Sequence, residues 1–352
     1  MFSDQIKDSL SNKVWLVTGA SGYVSSELCK KIKADYPHIY LIATDVKAPN
    51  HHWYDEFITS SLEIPDNEVV QKILTSQIDL VIHLAGVAVE GWCFENPFQT
   101  CEYNIRAVYI LLEAIRKSTY SCSMILSTTD KVYGRDATEI KPYLEDEPLM
   151  AKNIYETSKI CADLISQSYY LTYQIPLAIV RFANIYGGLD RNSSRLVPRT
   201  IQRLQNGLTP ELRLTKSGQE YTRDFIHISD VIEGIIVVAK ALLEPKQNII
   251  GEIFNISSGK EYRVRDIIES IISVFKPGEK YVEVEEGVKY LEIVNQCASN
   301  NKMKQLLGWE PKISLIDGLL MIKNEYVDQL QAGHNYTARA ISFSSSPPQN
   351  EF

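Results

Sequence analysis

The stretch VTGASGYVSS (residues 17–26) sits between an apolar run, VWLVTG (14–19), and a helical pattern, SSELCKKIKA (25–34). A buried strand, a glycine turn and a helix in that order form a crossover that can hold a dinucleotide. Gly19 permits the tight turn. Gly22 lets backbone approach a pyrophosphate at the positive end of the helix. The third small position is Ser25 rather than glycine, a side chain still small enough for helix and strand to pack. Asp45 closes the next apolar run, IYLIATD (39–45). A carboxylate at that point accepts hydrogen bonds from ribose hydroxyls and repels a 2′-phosphate, so NAD is expected rather than NADP.

Outward from this unit the alternation continues. LVIHLAG (80–86) and SMILST (123–128) are expected as strands, and LAIVRFANIYG (177–187) as a strand and loop. Between them NIRAVYILLEAIRK (104–117) and YETSKICADLISQSYY (155–170) carry helical periodicity. Strands alternating with helices predict an α/β fold, a parallel sheet covered on both faces. After Gly188 the pattern loosens. VRDIIESIISVF (263–275) and NKMKQLLGWEP (301–311) are expected as helices of a second, smaller unit. The last segment, 334–352, is rich in Ser and Pro and is expected to be a disordered tail.

Composition narrows the class of function. The 352 residues are enough for one large or two ordinary domains, and 45% are apolar, as in soluble globular proteins. Net charge is 36 − 44 = −8, which disfavours nucleic acid and anionic membranes as main partners. No apolar run reaches the roughly 18 residues of a membrane span, and the polar MFSDQIKDSLSNK has no signal-peptide core. Six irregularly spaced cysteines without a CxxC fit a reduced, cytoplasmic protein. The six histidines show no metal-ligand spacing, so no metal is expected.

Two local groupings carry chemistry. Tyr155 and Lys159, four apart in YETSK, share one helix face. An ammonium there, with a positive nicotinamide ring, would stabilise a phenolate able to take a proton from a sugar hydroxyl. In LSTTDKVYG (126–134) an acid and a base, Asp130 and Lys131, directly follow Thr129 at the end of an apolar run. Taken alone, that pair reads first as a solvated turn after a strand.

TGASGY, HLAG (83–86), the Ser-Thr-Thr strand end, VYG, Tyr155 with Lys159, RFANIYGG (181–188), RDFIHISDV (223–231) and LLGWEP (306–311) occur in one order. Together, over residues 13 to 325, they resemble the extended short-chain dehydrogenase/reductase family, the nucleotide-sugar epimerases and dehydratases. The resemblance implies a Rossmann doubly wound parallel sheet holding NAD, residues 1–187 plus about 224–252. It implies a smaller C-terminal α/β domain for a nucleoside diphosphate sugar, about 188–223 and 253–330, with 331–352 as the tail. A homodimer through helices 104–117 and 155–170 is implied as well. Further cofactor contacts are implied at Ser21, Tyr23, Val24, Val46, Ser61, Leu62, Leu84, Ala85, Gly86, Asn104, Ser127 and Ala183, beside Tyr155 and Lys159. Substrate contacts are implied at Thr129, Asn184, Arg195 and Arg223.

The Thr-Asp-Lys triplet is similar to that of CDP-glucose 4,6-dehydratases, as is GGLDRNSSRLVP (187–198). That similarity implies oxidation at C4, loss of water across C5 and C6, and hydride return to C6. Tyr155 is then the base at O4 with Thr129 its partner, Asp130 the acid at O6, and Lys131 the base at C5, provided its pKa is lowered. The alternative is a nucleotide-sugar epimerase, since the Thr-Asn-Lys of tyvelose 2-epimerases is close to the same triplet. Departures from the dehydratase subgroup are plain. AGVAVEGWCFENP (85–97) lacks its Gln and Arg and presents Val87, Glu90, Gly91 and Trp92. RDFIH (223–227) looks more like the epimerases. VEEGVKYLE (284–292) lacks an Arg-Pro, leaving Lys289 as a stand-in, and Ser61-Leu62 replaces an Asp-Leu pair.

Overall fold

A computed structural model describes residues 10, 12–135, 141–188, 190, 192–244, 249–285 and 292–331. The expected tail and Lys289 lie outside the described residues. The strands are β1 (Val14–Thr18), β2 (Tyr40–Asp45), β3 (Glu56–Thr59), β4 (Leu80–His83), β5 (Ser123–Thr129) and β6 (Leu177–Phe182). They continue with β7 (Asn184–Tyr186), β8 (Glu211–Leu214), β9 (Thr222–His227), β10 (Ile253–Ile256), β11 (Glu261–Arg263) and β12 (Val282–Glu285).

The chain divides into two compact units. The first comprises residues 1–185, 221–262 and 287–313. Its seven-stranded sheet runs β10-β6-β5-β4-β1-β2-β3, and every neighbouring pair is parallel. β1, β4, β5 and β6 are buried along nearly their whole length, which is why they read as apolar runs rather than alternating patterns. Helices cover both faces. Leu28, Cys29 and Ile32 of helix Tyr23–Asp35 pack with Ile232, Ile235 and Ile236 of helix Ile228–Leu243 on one side. Leu111 and Ala114 of helix Ala107–Lys117 pack with Ala162 of helix Ile154–Tyr173 on the other. This is a Rossmann-like doubly wound sheet, with its reversal of strand order between β1 and β4, where open α/β sheets place their ligands.

Residues 253–262 and 287–313 group with the sheet, not with 188–223. β10 is the outer neighbour of β6, registering Ile253 with Ile179, and the helix Asn301–Leu307 buries Met303 in the sheet's core beside Trp309. Hydrogen-bonding an edge strand and burying a tryptophan together outweigh proximity along the chain. The expected helix over 104–117 begins instead with a π-helical turn, Glu102–Arg106, before its α-helical part.

The second unit comprises, among the described residues, 186–188, 190, 192–220, 263–285 and 314–331. Helices Leu196–Gln205, Val264–Phe275 and Leu315–Gln331 lie with the parallel pair β8–β12, which registers Val282 with Glu211. Its interior is the apolar stripe of helix Val264–Phe275: Ile267, Ile268, Ile271 and Ile272. Among the described residues no helix is long and apolar enough to cross a membrane.

Candidate active site

Where β1 and β4 end, the two halves of the cofactor signature meet. Thr18 Oγ1 accepts hydrogen bonds from the Leu84 and Ala85 amides, 3.1 and 3.0 Å away, and therefore gives its own proton to His83 Nδ1 at 2.9 Å. Burial, helped by Lys159, drives the His83 pKa down to about 3, so the ring is neutral and free to accept. Gly19 has φ +70°, and a Cβ there would stand 2.8 Å from the Ala85 Cα. Both the turn and the close approach exclude any larger residue.

Helix Tyr23–Asp35 starts at Gly22 with no side-chain cap, its N-terminus following directly on the glycine loop. Ser25 answers for the missing third glycine: it is buried and its hydroxyl donates to the Thr18 carbonyl at 3.1 Å. Asp45 accepts from the Ser21 amide at 2.9 Å, the Ser21 hydroxyl, and the Val46 amide at 2.7 Å. It thus braces the glycine loop, with carboxylate lone pairs remaining for hydroxyl donors. Leu62 is buried, Ser61 half-buried and Val46 exposed at this edge of the sheet. Ala183 is buried, its amide bonded to the Ile256 carbonyl. Gly19→Val is expected to leave protein without nucleotide. Quantifying dinucleotide released on denaturation checks this, and retention at the wild-type level would remove the loop from the cofactor site.

The candidate catalytic end is built on β5. Ser127 donates to the His83 carbonyl at 2.9 Å, fixing β5 to β4. After Thr129 the chain tightens into a short 3-10 turn, Asp130–Tyr133, with the Thr129 hydroxyl accepting from the Lys131 amide. Gly134 ends the turn at φ +53°, where a Cβ would lie 2.0 Å from the Met150 carbonyl oxygen. The turn carries Asp130 inward, not into solvent as a polar turn would: only 2% of it is exposed. Tyr155, in the first turn of helix Ile154–Tyr173, is buried against Val87 and Cys93, within hydrogen-bonding reach of Thr129. Lys159 is buried one turn on, and among the described residues no carboxylate pairs with it. A Cβ at Gly86 would be 3.3 Å from Lys159 Nζ and 2.8 Å from Asn104 Oδ1. Asn104 itself clasps the Val87 backbone from both sides and donates to Ser158.

Electrostatics separates these groups. Burial, reinforced by Asp224 and opposed by Lys131 and Arg223, raises Asp130 to about 7. Among the described residues its Oδ2 has no hydrogen-bond partner. Burial lowers Lys159 to about 8 and raises Tyr155 above the ordinary phenol range. Lys131 is different from its expected role. Burial alone would lower it, but Glu292 at 3.0 Å and Glu90, in direct contact, override that and hold it as an ammonium. A base with a lowered pKa therefore does not exist at position 131, because two largely enclosed carboxylates stabilise the charged form.

Arg223 is engaged in the same network. It donates to Glu292 at 2.8 Å and to the carbonyls of Thr222 and Val294. Asn184 donates to the Asp224 carbonyl at 3.1 Å. Arg195 belongs to the second unit, where it precedes helix Leu196–Gln205 and pairs with Asp190. Sequence reasoning did not single out Glu292 or Gln296, whose amide approaches Asp130 Oδ1 at 3.5 Å. Glu292 lies 161 residues from Lys131, so no local spacing could have signalled it.

Residues 15–257 match the model of the NAD dependent epimerase/dehydratase family. The chain belongs to that family, whose cofactor is NAD. It is 26% identical to a dTDP-D-glucose 4,6-dehydratase of Bos taurus, over 97% of this chain and 96% of the relative. Among solved structures it is similar to a UDP-glucose 4-epimerase of Thermotoga maritima, TM-score 0.78, 23% identical, over 90% and 99% of the two chains. A dTDP-glucose 4,6-dehydratase of Bacillus anthracis in complex with NAD gives 0.76, 22% identical, over 91% and 98%. The uncapped helix end, the cradle at Gly19 and the Lys159 ammonium, which no described carboxylate pairs, fit such a dinucleotide.

Proposed function

We propose that this chain is a nucleotide-sugar 4,6-dehydratase. It would oxidise C4 of a nucleoside diphosphate hexose, remove water across C5 and C6, and yield a 4-keto-6-deoxy sugar nucleotide. The single observation that carries this is Asp130, a carboxyl buried beside Thr129 with one oxygen unpartnered among the described residues and a pKa near neutral. Inverting a carbon needs no proton donor for a departing C6 hydroxyl. Elimination does, and a carboxyl still protonated near pH 7 is suited to give one.

Gly19, Ser21, Gly22, Tyr23 and Val24 would hold the pyrophosphate, Asp45 the adenosine ribose, and Lys159 the hydroxyls at the other end. NAD, when bound, supplies the hydride acceptor at C4 and the donor at C6. Thr129 would hold the sugar O4 while Tyr155 takes its proton. Lys131 opposes the burial that raises the phenol, and Lys159 would add its positive charge to that opposition. Asn184 and Arg223 would contact the sugar diphosphate, the arginine through paired N–H donors. The paired state of Lys131 favours the epimerase alternative to the extent that it removes one expected base.

Incubation with dTDP-, UDP-, GDP- and CDP-glucose separates the two chemistries by mass. Loss of one water from any of them supports the dehydratase; unchanged mass with a new epimer by chromatography replaces it. A homodimer is part of the same proposal. Tyr109, Leu164, Leu171 and Tyr173, on the two helices expected at the interface, are exposed. Light scattering is expected to give twice the chain mass, and a monomer would refute that part alone.

A further inference from the structure

We propose that Glu90 is the base that removes the C5 proton, with the Lys131 ammonium as its electrostatic partner. The proposal rests on the dehydratase reading above and supplies the base that Lys131 cannot be. Glu90 opens the short helix Glu90–Glu95, whose Cys93 is buried against Tyr155 together with Val87. Glu90 lies three residues before Cys93 on that helix, close enough to the phenol for its charge to raise the Tyr155 pKa. Its side chain is 13% exposed and touches Lys131, the residue next to the Asp130 acid.

Two carboxylates flank Lys131, and they are not equivalent. Glu292 is held by two cations, Lys131 at 3.0 Å and Arg223 at 2.8 Å. Burial pushes its pKa up, but the two cations outweigh that and bring it below the usual carboxylate range. A doubly paired, strongly ionised carboxylate is a weak base. Glu90 has Lys131 as its cation, and burial, joined by the charge of the hydrogen-bonded Glu292 carboxylate, raises it above the ordinary range against that opposition. A carboxylate moved toward neutrality is the better match for a carbon acid beside a ketone. Residue 90 also lies in VAVEGW, the segment that departs from the dehydratase subgroup, so the family resemblance did not point to it.

The step balances. Once C4 is a ketone, the Glu90 carboxylate takes the proton from C5. The C5–H electron pair passes into the enolate of that ketone. The enolate then expels the C6 oxygen as Asp130 gives it a proton; the C6–O bond breaks, water leaves and a C5–C6 double bond forms. When hydride reaches C6 from the reduced dinucleotide, the proton on Glu90 returns to C5.

The test uses the full-length holoenzyme with dTDP-glucose and UDP-glucose in D2O. Glu90→Gln is expected to lower both water loss and deuterium entry at C5 by about 10²-fold or more. It should still form the 4-keto sugar with its C6 hydroxyl intact, trapped with borodeuteride, and bind UDP as wild type does. Glu90→Asp should recover part of the C5 exchange. Exchange by Glu90→Gln within about threefold of wild type overturns the assignment of Glu90 alone. Loss of C4 oxidation and UDP binding together also overturns it, since the residue would then be a structural support. Wild-type protein that oxidises C4 but never loses water overturns the dehydratase reading itself, and this base with it.

Discussion

Replacing Asp130 by Asn is expected to lower water loss by about 10²–10⁴-fold while leaving oxidation at C4 and bound NAD in place. Asn fills the same volume and keeps a hydrogen-bonding partner for Thr129 and Gln296, but it has no proton to give to a departing hydroxyl. The same substitution is expected to stabilise the protein at neutral pH. Asp130 is raised from 3.8 to about 7 in the folded chain. Between those values the folded state holds a proton that the unfolded state has lost, so stability falls as pH rises through the window. Each tenfold difference in proton affinity between the two states is worth about 1.4 kcal/mol, so the loss approaches on the order of 4 kcal/mol by pH 7. The difference in unfolding free energy between Asp130→Asn and wild type should therefore grow from pH 4 to pH 7 and level off above it. Denaturant titrations across that range, with product mass, measure both effects. Unchanged water loss in the variant would remove Asp130 from the chemistry.

Tyr155→Phe is expected to abolish the first step rather than the second, with C4 oxidation falling by about 10²–10⁴-fold. Burial holds this phenol above its ordinary pKa, with Lys131 and Thr129 opposing. Its use as a base at neutral pH therefore depends on positive charge brought close, from Lys131 in the folded chain and, in the proposed mechanism, from Lys159 and the nicotinamide ring. Lys159 itself gives up its proton near 8. Oxidation should rise with pH as the phenol ionises and fall again above about 8 as Lys159 becomes neutral. Lys159→Met should move the rising limb to higher pH. Single-turnover oxidation followed across pH, with cofactor content measured in each variant, checks the assignment. A Tyr155→Phe protein that still oxidises C4 at the wild-type rate would require a different base.

The two substitutions cut one proposed pathway at successive points, and Glu90→Gln falls between them. The three variants should differ in what accumulates: untouched substrate for Tyr155→Phe, and the 4-keto sugar with its C6 hydroxyl for the other two. They differ again in deuterium at C5, which Asp130→Asn can still exchange and Glu90→Gln cannot.

The glycine loop, the strand-ending Asp45, the buried runs of β1, β4, β5 and β6 and the pair Tyr155–Lys159 were all legible from residues 14 to 182. Each is a short-range pattern: a turn that only glycine can make, a period of side chains, or two residues one helical turn apart. The chain itself thus determined a doubly wound parallel sheet and a dinucleotide crevice. Tertiary structure alone decided the charge state of Lys131 and where the later segments go. Lys131 sits next to Asp130 in sequence, yet its proton is held by Glu90 and Glu292, which the fold brings from 41 residues before and 161 residues after. β10 and the 301–307 helix return to the sheet because an open strand edge and an unburied Trp309 are satisfied there. A pKa is set by desolvation and by whichever charges surround a group in space, and sequence separation carries no information about either.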